Sequence, residues 1–285
     1  MKADNFLGSS TSYKDAKAVI LPVPYEGTVS YGKGTANGPK SIIEASRHME
    51  LYDEEIGINT AEKIGISTLK ELNVKKDKPE AMLEKVKKAV KIVADDKKMP
   101  VILGGEHSIS SAPVEILKER YNNLSVLQLD AHADLRNRYN GTIYSHACIM
   151  HRILDLDVPF VQVGIRSVCE EDTRVIKRKK IPVFWAKDIY NNNNWFDKAI
   201  SKLSDNVYVT IDLDVFDPSI MPSTGTPEPG GLTWYNVINF LKEVAKQKNI
   251  VGFDVVELAP NKDNIAPDFM AARLVYKVVG YVFSM

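Results

Sequence analysis

Cysteine is scarce in this chain. Of 285 residues only Cys148 and Cys169 carry a thiol, and neither belongs to a C-x-x-C pair. The sequence therefore holds neither a disulfide framework nor a thiolate zinc site, and it suits a reducing compartment. Both cysteines read as small, partly buried residues. Net charge is missing too: 37 lysines and arginines balance 37 aspartates and glutamates, which leaves no electrostatic footprint for nucleic acid. No apolar stretch reaches the ~18 residues that a membrane span requires. The opening residues MKADNFLGSS lack the apolar core of a secretion signal, and the expected location is the cytoplasm. Phosphate-cradling signatures are absent as well. Glycines at 27, 32, 34 and 38 fit neither the Walker pattern nor GxGxxG, so residues 25–37 read as a long active-site or interface loop. No repeat, low-complexity segment or linker-like break in composition divides the chain, and one domain over residues 1–285 is expected.

What is present is concentrated at strand ends. Residues 124–134 read LSVLQLDAHAD. The apolar part is too short for a helix and reads as a strand buried on both faces. It ends in Asp130, His132 and Asp134, spaced by two, so that in extended chain one imidazole and two carboxylates project to one side. A second strand, residues 206–211 (NVYVTI), ends in Asp212 and Asp214 in the same way. A third, in VILGGEHS, leads through Gly104 and Gly105 to His107. A single aspartate in such a place is commonly a helix cap or turn residue. That explanation does not cover five ligand-type residues at two strand ends.

Strand and helix alternate along the whole chain. Strands are expected at 18–23, 101–103, 124–130, 159–163, 181–185, 206–211 and 249–257. Helices are expected at 39–51, 78–96, 108–120, 146–154, 170–177, 195–203, 235–246 and 267–283. This is the βαβ rhythm of a doubly wound α/β sheet, whose ligands bind outside the carboxyl ends of the strands. Four carboxylates and two imidazoles without a thiolate suit Mn²⁺ better than structural zinc.

GGEHS at 104–108, DAHAD at 130–134 and DLDVFDPSIMPSTGTPEPGG at 212–231 resemble, in order, the three signatures of the ureohydrolase family of arginases and agmatinases. The resemblance implies an arginase-like fold, a single three-layer α/β domain with a mostly parallel eight-stranded sheet. It also implies two Mn²⁺ per subunit and a homo-oligomer, commonly a trimer or hexamer. Carried over position by position, His107 and Asp134 would bind one ion, His132 and Asp214 the other, and Asp130 and Asp212 would bridge them, with Asp134 counted also among the catalytic residues. The sequence departs from the family at Glu106, where aspartate is commoner, at Ala133, and at Met221 and Ser223; none of these is an expected ligand.

The chemistry follows from the substrate. A guanidinium carbon is a poor electrophile, because its charge is spread over three nitrogens. Paired ions roughly 3.5–4 Å apart would share one water and lower its pKa towards neutrality. A fixed carboxylate is the natural partner for the planar fork of guanidinium donors, and Glu257, closing the strand GFDVVEL, matches the family's guanidinium-binding position. Protonation of the departing amine calls for a histidine. His146 matches the family's proton shuttle, whereas His151 and His48 read as structural and surface residues, and Asp254 as structural. The stretches TGTPEPGG and VGIRSV (163–168) look more like agmatinases than arginases, so the resemblance implies hydrolysis of the guanidinium group of agmatine to putrescine and urea, a step of polyamine biosynthesis. Arginine, guanidinobutyrate, aminopropylagmatine and formiminoglutamate are the alternative substrates, and a non-catalytic metal-binding regulatory subunit is the remote alternative. Two arginines between Asp134 and His146, Arg136 and Arg138, would either repel a cationic tail or face solvent; solvent is expected.

Overall fold

The computed structural model describes residues 4–190 and 194–285. In chain order the elements are β1 (Ala18–Val23), α1 (Gly38–Ser46), β2 (Tyr52–Asp53), β3 (Ile58–Asn59), α2 (Thr60–Ile64), β4 (Ile66–Thr68), α3 (Pro79–Asp95), β5 (Met99–Gly104), α4 (Ser111–Arg120), β6 (Leu124–Leu129), α5 (Ile149–Asp155), β7 (Phe160–Ile165), α6 (Glu170–Lys179), β8 (Val183–Trp185), α7 (Ala186–Tyr190), α8 (Trp195–Ile200), β9 (Asn206–Asp212), α9 (Trp234–Gln247), β10 (Asn249–Val256) and α10 (Ala266–Ser284). The main sheet has eight strands in the order β4-β1-β5-β10-β9-β6-β7-β8. Every pairing within it is parallel.

Near-continuous apolar strands need cover on both faces, and the two faces bury different residues of the same strands. Ile20, Val101, Leu103, Leu127, Val209 and Phe253 pack with residues of α1, α8, α9 and α10. Leu21, Ile102, Val126 and Tyr208 pack on the other side with α3, α4 and α5. Each fully buried aliphatic side chain contributes about 1.5–3 kcal/mol. Three layers result, as the sequence leads one to expect.

Topology explains where the site lies. From β1 the chain first builds outward to β4, returns through β5, skips ahead to β6, β7 and β8, and only then fills the gap with β9 and β10. The strand order therefore reverses around β5, β10, β9 and β6, and a crevice opens beyond their carboxyl ends. All the ligand-bearing motifs sit there.

Four features differ from the sequence reading. The edge strand β4, the hairpin of β2 and β3, and the short helices α2 and α7 are too brief to register as periodic patterns. Helix α1 stops at Ser46 rather than residue 51. Ser46 Oγ donates to Ile43 O at 2.6 Å and accepts from Leu7 N at 2.7 Å, so the side chain competes with the continuing helix.

Candidate metal centre and active site

The loop after β5 is shaped by close approach. A Cβ at Gly105 would lie 1.9 Å from Tyr25 O, so only glycine lets this backbone run beside the end of β1. Gly105 N donates to Val23 O and Glu106 N to Tyr25 O, both at 2.9 Å. His107 follows immediately, 1% exposed, with its ring turned into the crevice.

Around His107 the carboxylates converge. Its Nδ1 lies 3.2 Å from Asp130 Oδ2, 3.2 Å from Asp134 Oδ2 and 3.4 Å from Asp212 Oδ2, yet it is buried without a directional hydrogen bond to any of them. His132 Nδ1 lies 2.9 Å from Asp214 Oδ2 and 3.7 Å from Asp130 Oδ1. Two overlapping groups have the compactness of a metal site: His107 with Asp130 and Asp212, and Asp130 with His132 and Asp214. Asp130 belongs to both, the position of a bridging ligand. Asp134 joins the first group through its contact with His107. The structure thus brings together all six residues singled out in the sequence.

Like charges crowd in this arrangement. Desolvation and then the charge of Asp130 push Asp134 up to about 6. Desolvation, with Asp214 and Asp130 adding to it, raises Asp212 well above the carboxylate range. The imidazoles move the other way from ordinary burial: desolvation alone would lower both, but the carboxylates hold His107 well above its usual value and His132 up to about 12. Dications at the centre would reverse the repulsion among the carboxylates and displace the imidazole protons. The donor set fits a pair of hard or borderline ions.

Outer contacts aim the ligands. Gln128 Nε2 donates to Asp130 Oδ2 at 2.7 Å, and Gln162 Nε2 to Gln128 Oε1 at 2.6 Å. His107 Nε2 lies 2.8 Å from Thr210 Oγ1, whose hydroxyl donates to Asp254 Oδ1 at 2.6 Å. Asp254 is fully buried and also accepts from Tyr208 at 2.7 Å, so its expected structural role extends to orienting a ligand. The Arg166 guanidinium donates to Asp214 O at 2.6 Å and Glu228 O at 2.8 Å, which ties the end of β9 to the loop that follows.

Glu257 leaves β10 with φ at +66°, and Asp134 has φ at +52°. Left-handed backbone costs a non-glycine residue on the order of 1–2 kcal/mol, so it persists where surrounding contacts enforce it. For Glu257 those are N to Gly105 O at 2.8 Å and Oε1 accepting His107 N at 2.6 Å. Its Oε2 takes no hydrogen bond among the described residues, and the side chain lines the crevice. Desolvation, then the charge of Glu106, raises the Glu257 carboxyl well above its usual range, an environment waiting for a cation.

The cavity over these residues measures about 210 Å³. Val29, Ser30, Tyr31 and Gly32 of the glycine-rich loop form one wall, in keeping with the active-site reading, and Glu26 Oε2 holds that loop by accepting Gly34 N at 2.8 Å and Ala36 N at 3.1 Å. His146 lines the cavity beside Tyr139, their rings edge to face at 5.9 Å. His151 Nδ1 meets Leu135 O at 2.8 Å and His48 lies on the surface. Arg138 faces solvent, but Arg136 does not: its guanidinium sits 5.0 Å from the Tyr139 ring centroid on the cavity wall, held by a cation–π contact. Sequence reasoning missed Thr28, Gln128, Asp172 and Thr210. These are ordinary loop, core and cap residues whose pattern carries no ligand signal.

Comparison with known proteins places the chain in a family. The Arginase family profile matches residues 16–280. An N(1)-aminopropylagmatine ureohydrolase of Synechocystis sp. is 40% identical over 277 residues, covering 95% of this chain and 90% of that protein. An agmatinase of Pyrococcus horikoshii is 36% identical over 272 residues, covering 94% and 92%. The crystal structure of agmatine ureohydrolase of Thermoplasma volcanium superposes with a TM-score of 0.88 at 31% identity, covering 98% of this chain and 94% of that one. Fold and site define a binuclear metal hydrolase. The chain belongs to the arginase family. Among the described residues no helix is long and apolar enough to cross a membrane.

Proposed function

We propose that this hydrolase releases urea from a linear guanidino amine whose other end is also cationic, with N(1)-aminopropylagmatine favoured over agmatine. One observation carries the tail specificity. Asp172 is 4% exposed and lines the same cavity as Glu257; its Oδ2 caps α6 by accepting Cys169 N at 2.8 Å, whereas its buried Oδ1 has no hydrogen-bond partner among the described residues. A buried carboxylate oxygen without a partner is costly, and an ammonium group on the substrate tail supplies one. Relatives named for aminopropylagmatine at 40% and 37% identity support the longer tail; the agmatinase at 36% supports the shorter.

The oxygen-rich donor set with two imidazoles supports Mn²⁺ as the resident pair. His107, Asp130, His132, Asp134, Asp212 and Asp214 would hold such a pair, which would supply a hydroxide nucleophile at neutral pH. Glu257 binds the guanidinium fork through its carboxylate and fixes the carbon to be attacked. His146, on the cavity wall, carries a proton to the departing amine. Residues 29–32 and Tyr139 line the cavity that receives the substrate. A phosphate-ester substrate is disfavoured, because Arg136 is the sole lysine or arginine lining the cavity among the described residues, where an anion calls for several.

The test is urea release by the Mn²⁺-loaded protein on aminopropylagmatine, agmatine, arginine and guanidinobutyrate in parallel. The reading expects the two cationic-tailed compounds to dominate, aminopropylagmatine first. Preference for guanidinobutyrate or arginine would move the substrate, and absence of urea from all four with two ions bound would overturn the activity.

A further inference from the structure

Thr28 lies at the start of the glycine-rich loop, 118 residues from His146, and touches that histidine twice. Its Oγ1 lies 3.0 Å from His146 N and 3.2 Å from His146 Nδ1. On its other side the same oxygen lies 2.7 Å from Glu106 Oε1. Glu106 is fully buried, and every contact it receives comes from a donor: Gly27 N at 2.8 Å, Thr28 N at 2.6 Å and Ser108 Oγ at 2.6 Å besides Thr28. An ionised carboxylate only accepts, and a hydroxyl has one proton to give and two lone pairs. Thr28 therefore donates to Glu106 and accepts from His146 at both N and Nδ1. All three places on the hydroxyl are filled.

We infer that the Glu106–Thr28 pair is a positioning device that fixes His146 as the Nδ1–H tautomer and so leaves Nε2 free to take up and hand on a proton in the cavity. Nothing in the notion of a histidine on the cavity wall selects between the two neutral tautomers; the hydroxyl's orientation does. His146 Nε2 has no hydrogen-bond partner among the described residues, and the ring borders the cavity. The competing partner for Nδ1 is Ser145 Oγ at 3.4 Å, which could donate to Nδ1 and favour the opposite tautomer. It is the more distant of the two, 3.4 Å against 3.2 Å for Thr28 Oγ1. Thr28 also anchors the His146 backbone, so ring and main chain are set by one atom. The relay joins two parts of the site that the metal ligands do not connect: the loop of β1 and the segment before α5.

The kinetic arm of the test rests on the proposed hydrolase activity; the spectroscopic arm does not. Protein labelled with [¹⁵N]histidine, metal-free and again loaded with diamagnetic Zn²⁺, reports the protonated ring nitrogen of each histidine directly, with His146 assigned by its loss in His146→Asn. The expected result is a pyrrole-type Nδ1 and a pyridine-type Nε2 for His146. Thr28→Val, isosteric but unable to accept, is expected to shift His146 towards the Nε2–H form and lower kcat at least ~10-fold with KM little changed, a part of the 10²–10⁴ that positioned proton transfer contributes. Thr28→Ser is expected to restore both. A pyridine-type Nδ1 in the wild-type protein overturns the inference without recourse to any variant, as does a shift produced by Ser145→Ala and not by Thr28→Val. An Nδ1–H signal in a protein that releases no urea upholds the tautomer and removes the hydrolase reading instead.

Discussion

His107 Nε2 lies 2.8 Å from Thr210 Oγ1, and because that hydroxyl donates to Asp254 Oδ1 at 2.6 Å, it accepts from the imidazole and leaves Nδ1 facing the carboxylate cluster. Outer contacts of this kind fix the tautomer of a metal-binding histidine. Thr210→Val removes the acceptor without changing volume. Metal affinity is expected to fall about 10–100-fold, read by competition with a chromophoric chelator, while Thr210→Ser keeps it. An unchanged affinity in the valine variant would show that the ring is oriented by packing alone.

Metal binding and acidity oppose each other at this centre. Ligands bind deprotonated, and desolvation together with the charge of Asp130 has pushed Asp134 up to about 6. The folded metal-free protein thus holds that proton more tightly than the unfolded chain: its stabilising share is present below the unfolded value near 4 and disappears as pH rises through about 6. Added Mn²⁺ is expected to take over where the proton leaves. The rise in Tm on saturation is expected to be small at pH 5 and large at pH 8, where 100-fold excess over Kd contributes about 2.7 kcal/mol per site. Calorimetric scans with and without metal test this; a Tm increment independent of pH would refute it.

Glu257→Gln keeps the shape of the side chain and the hydrogen bond to His107 N, and loses the charge proposed to meet the guanidinium. Charge-assisted hydrogen bonds contribute about 1.5–3 kcal/mol each, so loss of two is expected to lower kcat/KM at least ~100-fold with two ions still bound. Metal analysis beside urea-release kinetics decides the matter. Full activity would exclude Glu257 from substrate binding.

The metal centre was legible in the sequence because its chemistry is local. Aspartates and histidines two residues apart at the end of an apolar strand share a side, and parallel sheets put such ends in one crevice. Asp130, His132, Asp134, Asp212 and Asp214 follow from that argument, and the three layers from the strand and helix periods. Thr28, Thr210 and Asp172 were not legible. Each is an unremarkable residue whose role comes from contacts 118, 103 or more residues away, or from a single oxygen left over after capping a helix. The short elements β2, β3, β4 and α7 escaped for a different reason: two to five residues cannot show a period. For Arg136 the sequence leaves a choice between tail repulsion and solvent and favours solvent, whereas the ring of Tyr139 holds it on the cavity wall.

Away from the site, Lys277 is the main buried cation of the core. Its Nζ lies 2.9 Å from Asp53 Oδ1, 3.1 Å from Glu55 Oε1 and 3.3 Å from Glu54 Oε1, and it ties α10 to the hairpin of β2 and β3. Burial alone would lower its pKa, but these carboxylates raise it, so the pair is intact at neutral pH. Lys277→Met leaves Asp53, fully buried, without its counter-charge. A loss of about 3–5 kcal/mol is expected, seen as a lower urea midpoint, and Asp53→Asn in the same chain is expected to recover part of it. A neutral single variant would mean that water reaches Asp53.

His146 is expected to carry the pH dependence of turnover. Burial, first, lowers its pKa; Glu106 opposes and the charged His107 and His132 reinforce the shift. Two dications among four carboxylates would leave the centre near neutral, so burial remains the leading cause of the shift. The ring is neutral at pH 7 and able to accept a proton at Nε2. Since the folded value is depressed, the associated stability is present above the unfolded value and lost as pH falls through the folded one. The acid limb of kcat/KM is therefore expected below ~6.5, the ordinary imidazole value, and His146→Asn is expected to abolish that limb and lower kcat by about 10²–10⁴ with both ions retained. If the limb survives in the asparagine variant at its wild-type position, the titrating group is a metal ligand or the substrate, and His146 is a bystander.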